Sequence, residues 1–309
     1  MTSRFLAGVA GAALIVAAGA ANAADVPPLG AEATVAGSGT KVSVAVESGL
    51  FVGVNNFSPP FFAIDNRAGI DVRFASGFGV TLFSEVVTEL QSPPVSFVIL
   101  GGRVYKSFGA FEVGFGGSFL TGIAGYEFGP DVRYETDRLT IVNATSFGFF
   151  FGTFDRWENE TTVTFNPNDR IEVFTYVEVE GGPGFPVYID VANAVTITVA
   201  PHFEVIPNAE FGFDTTGGRF FGAGVEARFP LGVLTPYTSV FWSPTNDFIN
   251  VNLGFDLEKP IGATPLSLIG GANYGASFTP GFPTFHSFDA RIGLRYLAGD
   301  DPPDLSGEF

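Results

Sequence analysis

From Lys41 to about Leu297 the chain alternates apolar and polar residues with a period of two. Between Phe248 and Glu258, the residues Ile249, Val251, Leu253, Phe255 and Leu257 are apolar, whereas Asn250, Asn252, Gly254, Asp256 and Glu258 are small or polar. The same split runs through 219–229, where Phe221, Ala223, Val225, Ala227 and Phe229 oppose Gly222, Gly224, Glu226 and Arg228. It returns at 286–296, where Phe288, Ala290, Ile292, Leu294 and Tyr296 oppose Ser287, Asp289, Arg291, Gly293 and Arg295. A helix would space its apolar residues three or four apart, so these segments read as strands. Strands of about 10–12 residues exceed the usual 5–6 of soluble sheets and match the 9–11 of a tilted membrane strand.

Turn signals divide the region into about 16 such strands. They begin near Lys41, Arg67, Gly77, Pro94, Gly109, Tyr126, Arg138, Arg156, Arg170, Val187, His202, Arg219, Val233, Phe248, Pro265 and His286. The expected fold class is all-β, an antiparallel transmembrane β-barrel with an even strand number, which keeps both ends on the periplasmic side. Pro94 to Lys106 and Val233 to Trp242 are among the segments that alternate poorly, and the alternative count is 12 or 14. The first connection, Asn55 to Asn66, carries Phe61-Phe62 and falls outside the cell, as does the last, Phe278 to Thr284. Short connections at Ser76-Gly77, Ser107 to Gly109, Thr136 to Arg138 and Pro230 to Gly232 fall in the periplasm.

Composition agrees. Apolar residues make up 46%, 36 residues are Phe and the mean hydropathy is +0.31. Yet no run of about 18 apolar residues follows the first residues, so no helix spans a membrane. A barrel turns its Phe to lipid; a secreted β-sandwich, the alternative fold, would carry the same faces as an aggregation-prone surface. At the start, Arg4, the apolar run Phe5 to Ala18 and Ala21-Asn22-Ala23 form a Sec-type signal peptide (1–23), with cleavage near Ala23 and export to the outer membrane. Residues 24–40 read as a flexible periplasmic leader, 41–297 as the barrel, and 298–309 as an acidic, disordered periplasmic tail containing Pro302-Pro303.

The 15 basic and 32 acidic residues leave a net charge of −17, which excludes nucleic acid as a partner. The chain has no Cys and only His202 and His286, so no disulfide, thiolate nucleophile, metal site or cofactor is expected. An enzyme would need a nucleophile and base within reach. His286 and Ser287 are adjacent and point to opposite faces of a strand. His202 shares a face with Glu204 and reads as a lumen-lining pair rather than a catalytic one.

The alternation over 41–297 resembles the bacterial outer-membrane porin-like barrels. Its most specific piece is Arg291-Ile-Gly-Leu-Arg-Tyr296, which looks like the terminal strand signal read by the barrel-assembly machinery, although thirteen residues follow Tyr296. The resemblance implies outer-membrane lipid as surroundings, small hydrophilic solutes or ions as cargo, and room for a homotrimer. It departs from general porins at the third external loop, Thr121 to Gly125, which is too short to fold inward as a constriction.

Function would then reside in the inward face, since the lipid face tolerates almost no charge. Parity turns Arg67, Asp71 and Arg73 of the second strand and Asp289, Arg291 and Arg295 of the last strand inward, with Glu47, Ser43 and Ala45 between. Glu172, Glu178, Asp190, Glu204 and Glu210 lie across the lumen, with Glu226 and Arg228 next along. Opposed charged walls fit a mildly cation-preferring diffusion channel. The alternatives are charges that pair and merely brace the wall, and a plugged structural or surface-binding barrel without transport. The cluster Gly114, Gly116 and Gly117 sits inside a strand, and its small inward residues would widen the lumen.

Overall fold

The computed structural model describes residues 33–34, 39–90, 95–121, 125–299, 302–303 and 305; the expected signal peptide lies outside these. A two-residue β1 (Ala33–Thr34) precedes sixteen long strands. These are β2 (Lys41–Asn55), β3 (Phe61–Arg73), β4 (Phe78–Glu89), β5 (Val95–Phe108), β6 (Phe111–Leu120), β7 (Gly125–Glu135), β8 (Leu139–Phe150) and β9 (Thr153–Asn168). They continue as β10 (Ile171–Gly182), β11 (Phe185–Ala200), β12 (Phe203–Asp214), β13 (Arg219–Arg228), β14 (Leu234–Ser243), β15 (Phe248–Pro260), β16 (Leu266–Phe278) and β17 (Phe285–Ala298). Each pairs antiparallel with the next, and β17 pairs back onto β2 through Arg295↔Glu47 and Ala290↔Val52. Closure leaves every long strand paired on both sides, which a sheet surrounded by hydrocarbon requires. β1 extends the β17 side of β2 by two residues, Ala33↔Val42 and Thr34↔Lys41.

Sixteen strands were expected and sixteen form the wall, with the largest boundary correction at the second and smaller ones at Thr153 and Phe185. The second begins at Phe61, not near Arg67. Ser58-Pro59-Pro60 ends the first connection, and Gly53↔Phe61 already pairs across the seam. Phe61 and Phe62 are therefore wall residues rather than a loop tip, and the Phe61 ring meets Phe51 edge-on at 5.9 Å. The poorly alternating segments are the full wall strands β5 and β14. Their pattern is blurred because inward positions hold Ile99 and Tyr105 on β5, and Tyr237 and Phe241 on β14.

Connections between consecutive long strands run from two to six residues, the longest being 279–284. The tightest need unusual backbone. Phe151 (φ 49°) and Gly152 (φ 79°) turn β8 into β9 with both residues left-handed, as a type I′ hairpin demands. His202 follows Pro201 with φ 81°, the second central position of a type II turn, and its Nδ1 lies 2.7 Å from the Pro230 carbonyl oxygen. It belongs to the turn before β12 and does not face the lumen beside Glu204.

The two faces divide as the alternation demands. Side chains such as Leu82, Phe115, Leu253 and Ile292 stand 55, 51, 62 and 58% exposed on the outside, an apolar belt suited to hydrocarbon. The cross-strand register places the charged strand residues treated below on the other face.

Candidate channel lining

The register carries one inward parity around the whole circle: Arg295↔Glu47, Glu47↔Arg67, Arg67↔Glu85 and Arg103↔Gly116 all pair directly. By that register Arg67, Asp71, Arg73, Glu172, Glu178, Asp190, Glu204, Glu210, Glu226, Arg228, Asp289, Arg291 and Arg295 all lie on the inner face. Strand spacing also brings the four expected arginines together, on β17 and β3 with β2 between them.

Each of those arginines is engaged. Arg291 Nη2 lies 3.5 Å from Asp256, across β16. Arg295 reaches Glu47 at 3.0 Å and Glu258 at 3.3 Å. Arg67 Nη2 lies 3.0 Å from Asp65 and 2.8 Å from Glu85. Arg73 is 3.6 Å from Asp71 and donates from Nε to the Tyr105 hydroxyl at 3.1 Å. That hydroxyl donates in turn to Asp71 at 2.9 Å, and Thr81 donates to the same carboxylate at 2.7 Å.

A further basic centre escaped the sequence reading. Arg103 on β5 is held by Glu112 of β6 at 2.6 Å and by Asp131 of β7, with Nε 2.9 Å from Asp131 Oδ2. Arg73 and Arg103 both lie over the Tyr105 ring, 5.6 and 4.8 Å from its centroid. Arg103 was missed because β5 alternates poorly, although its odd number matches the inward parity of Arg67 and Arg73. Gly114 owes its lack of a side chain to this centre. A Cβ there would stand 2.6 Å from Arg103 Nε and closer still to Asp131. The space is filled by the ion pair, so Gly114 does not widen the lumen as expected.

The opposite wall differs. The inward positions of β10, β11 and β12 carry Glu172, Glu178, Glu180, Asp190, Glu204, Glu210 and Asp214 and no basic residue. Carboxylate oxygens of Glu158 on β9 and of Glu178 and Glu180 lie within 4.8 Å of one another. The Tyr176 hydroxyl sits between Glu160 and Glu178, at 2.7 and 3.1 Å. Arg156, 3.6 Å from Glu158, and Arg228, bonded to Glu226 and paired across from Glu204, flank this wall. In a circle of sixteen strands, β10 and β11 stand across from β2 and β3. One wall thus holds arginines neutralised by carboxylates, and the other holds carboxylates in excess.

Among the described residues no connection folds into the lumen, so wall side chains and whatever else enters the barrel set its bore. A closed sixteen-stranded barrel, apolar outside and charged within, defines the class: the porin-like β-barrel fold. Neither a family model nor a curated protein matches the sequence. Solved structures do match in fold. OprD of Pseudomonas aeruginosa aligns with a TM-score of 0.55 at 9% identity, over 83% of this chain and 95% of that one. OpdK of the same organism, solved with vanillate, aligns with a TM-score of 0.57 at 6% identity, over 83% and 98%. OccAB3 of Acinetobacter baumannii aligns with a TM-score of 0.54 at 8% identity, over 84% and 98%.

Proposed function

We propose that this chain is an outer-membrane channel for passive diffusion of small hydrophilic solutes or ions, with a mild cation preference. The observation that carries the reading is the unequal lining. Arginines on β17, β3 and β5 are matched by carboxylates, while the inner faces of β10 to β12 carry carboxylates and no base of their own. An acid-rich lumen raises the local concentration of cations, and opposed walls of different charge set a field across the path of a dipolar solute. The similar solved structures support the channel reading through their fold, and OpdK was solved with vanillate, a small organic solute.

Planar-bilayer recording of the refolded protein under a salt gradient tests this. Stable open steps with a reversal potential displaced toward the cation potential are expected. A folded barrel that gives no steps would overturn the channel reading in favour of a structural or surface-binding barrel. Steps without cation preference would remove the role given to the acidic wall.

A further inference from the structure

Past Ala298, the described residues Gly299, Pro303 and Leu305 stay inside the barrel. Gly299, at φ 96°, packs against Ser43 near the start of β2, where a Cβ on it would stand 2.6 Å from the Ser43 Cα. Pro303 and Leu305 then lie over Gly69 of β3: a Cβ on that glycine would come within 2.9 Å of Pro303 Cγ and 3.1 Å of Leu305 Cδ2. Arg67, one inward position along the same strand, donates from Nη1 to the Leu305 carbonyl oxygen at 3.3 Å. Both wall residues point into the lumen, so the segment they touch is inside it.

The wall is built to receive the segment. Ser43, Ala45 and Gly69 are consecutive small residues on the inner face of β2 and β3, with Ala45↔Gly69 a direct cross-strand pair. Ala45 is 0% and Ser43 6% exposed, so these inward positions are covered rather than open to a channel. Proline offers no N–H for a ladder, so Pro302 and Pro303 cannot fuse with the sheet as a further strand. The 3.3 Å bond from Arg67 and the apolar contact at Gly69 hold the segment against the wall without ladder bonds.

We propose that Gly299, Pro302, Pro303 and Leu305, following β17, form a lumenal strap, docked on Gly69 and Arg67, that narrows the pore from the rim at which β2 begins and β17 ends. Its seat stands on the contacts above, and its effect on flux rests on the channel reading. It supplies from within the chain the constriction that the short connections do not provide.

Three recordings test the strap. A chain ending at Gly299 is compared with the full chain in planar bilayers. An extended chain with its side chains fills a layer about 10 Å thick, so its removal is expected to raise conductance by about twofold. Leu305→Cys, in a chain with no other cysteine, is treated with a small charged thiol reagent during recording, and a stepwise fall in current is expected. Equal conductance of both chains, together with no response to labelling, would overturn the strap and leave the channel intact. Should no form conduct, the channel reading fails and the seat is judged by reactivity alone. Leu305→Cys in the folded barrel is then expected to react with a small maleimide and resist a polyethylene-glycol maleimide, with Arg67→Ala restoring the second reaction. Equal reactivity toward both sizes would overturn the seat. The labelling arms use the full chain, so they stand even where the shortened barrel does not fold.

Discussion

Arg103 has the most enclosed side chain of the ion-paired arginines, 16% exposed, and its partner Asp131 is 5% exposed. Two carboxylates from two neighbouring strands hold it, so β5, β6 and β7 meet at one guanidinium. Removing one partner leaves a half-satisfied charge in an enclosed place, which costs far more than losing an exposed pair. Asp131→Ala is expected to destabilise the barrel by about 2 kcal/mol, with Glu112 retaining part of the interaction. Glu135→Ala, which breaks a pair with Arg133 whose side chains are 43 and 56% exposed, is expected to cost about 0.5 kcal/mol or less. Urea midpoints of the two variants refolded in detergent micelles check the contrast. Similar shifts would mean that the Arg103 centre braces nothing.

Between neighbouring strands, the recurrent device is an aromatic ring laid on a glycine. Tyr105 of β5 lies over Gly79 of β4, Phe83 of β4 over Gly101 of β5, Tyr237 of β14 over Gly254 of β15, and Phe241 of β14 over Gly222 of β13. By register all are inward, so each ring rests flat along the wall and its glycine gives up the volume. Gly79→Val is expected to lift Tyr105 off the wall, break its bond to Asp71 and cost about 1–3 kcal/mol through overpacking, with lower conductance. Single-channel recording and a urea midpoint check it; unchanged values would mean that the ring has room elsewhere. This device also explains what the sequence hid. Strands with Leu, Ile or Val at every second position, such as β15, were legible because the periodicity is itself the burial pattern. In β5 and β14 large rings occupy the polar face, and in β3 the run Phe61 to Asp65 follows a Pro-Pro turn, so two strands looked irregular and one looked shorter. Parity placed all thirteen candidate lining residues on the inner face. The partners that neutralise the arginines were less legible, because only the closed circle brings Asp256 to Arg291 or Glu258 to Arg295.

For the molecule as a whole, the distribution of charge around the circle matters more than its total. Arg291→Ser with Arg295→Ser frees Asp256, Glu258 and Glu47, and the ratio of cation to anion permeability is expected to rise by about twofold. Glu178→Gln with Glu210→Gln is expected to lower it by a similar factor. Reversal potentials in a salt gradient read both, and shifts of the same sign would remove the two-wall picture. The short connections carry a separate consequence. With no connection above six residues among the long strands, the chain beyond the apolar belt is paired strand rather than loose loop. Protruding tips are where proteases cut and where insertions are accepted. With the barrel seated in the outer membrane as proposed, an antibody or a phage fibre would meet hairpin ends held by ladder bonds instead of loose loops, and would have to recognise the rim itself.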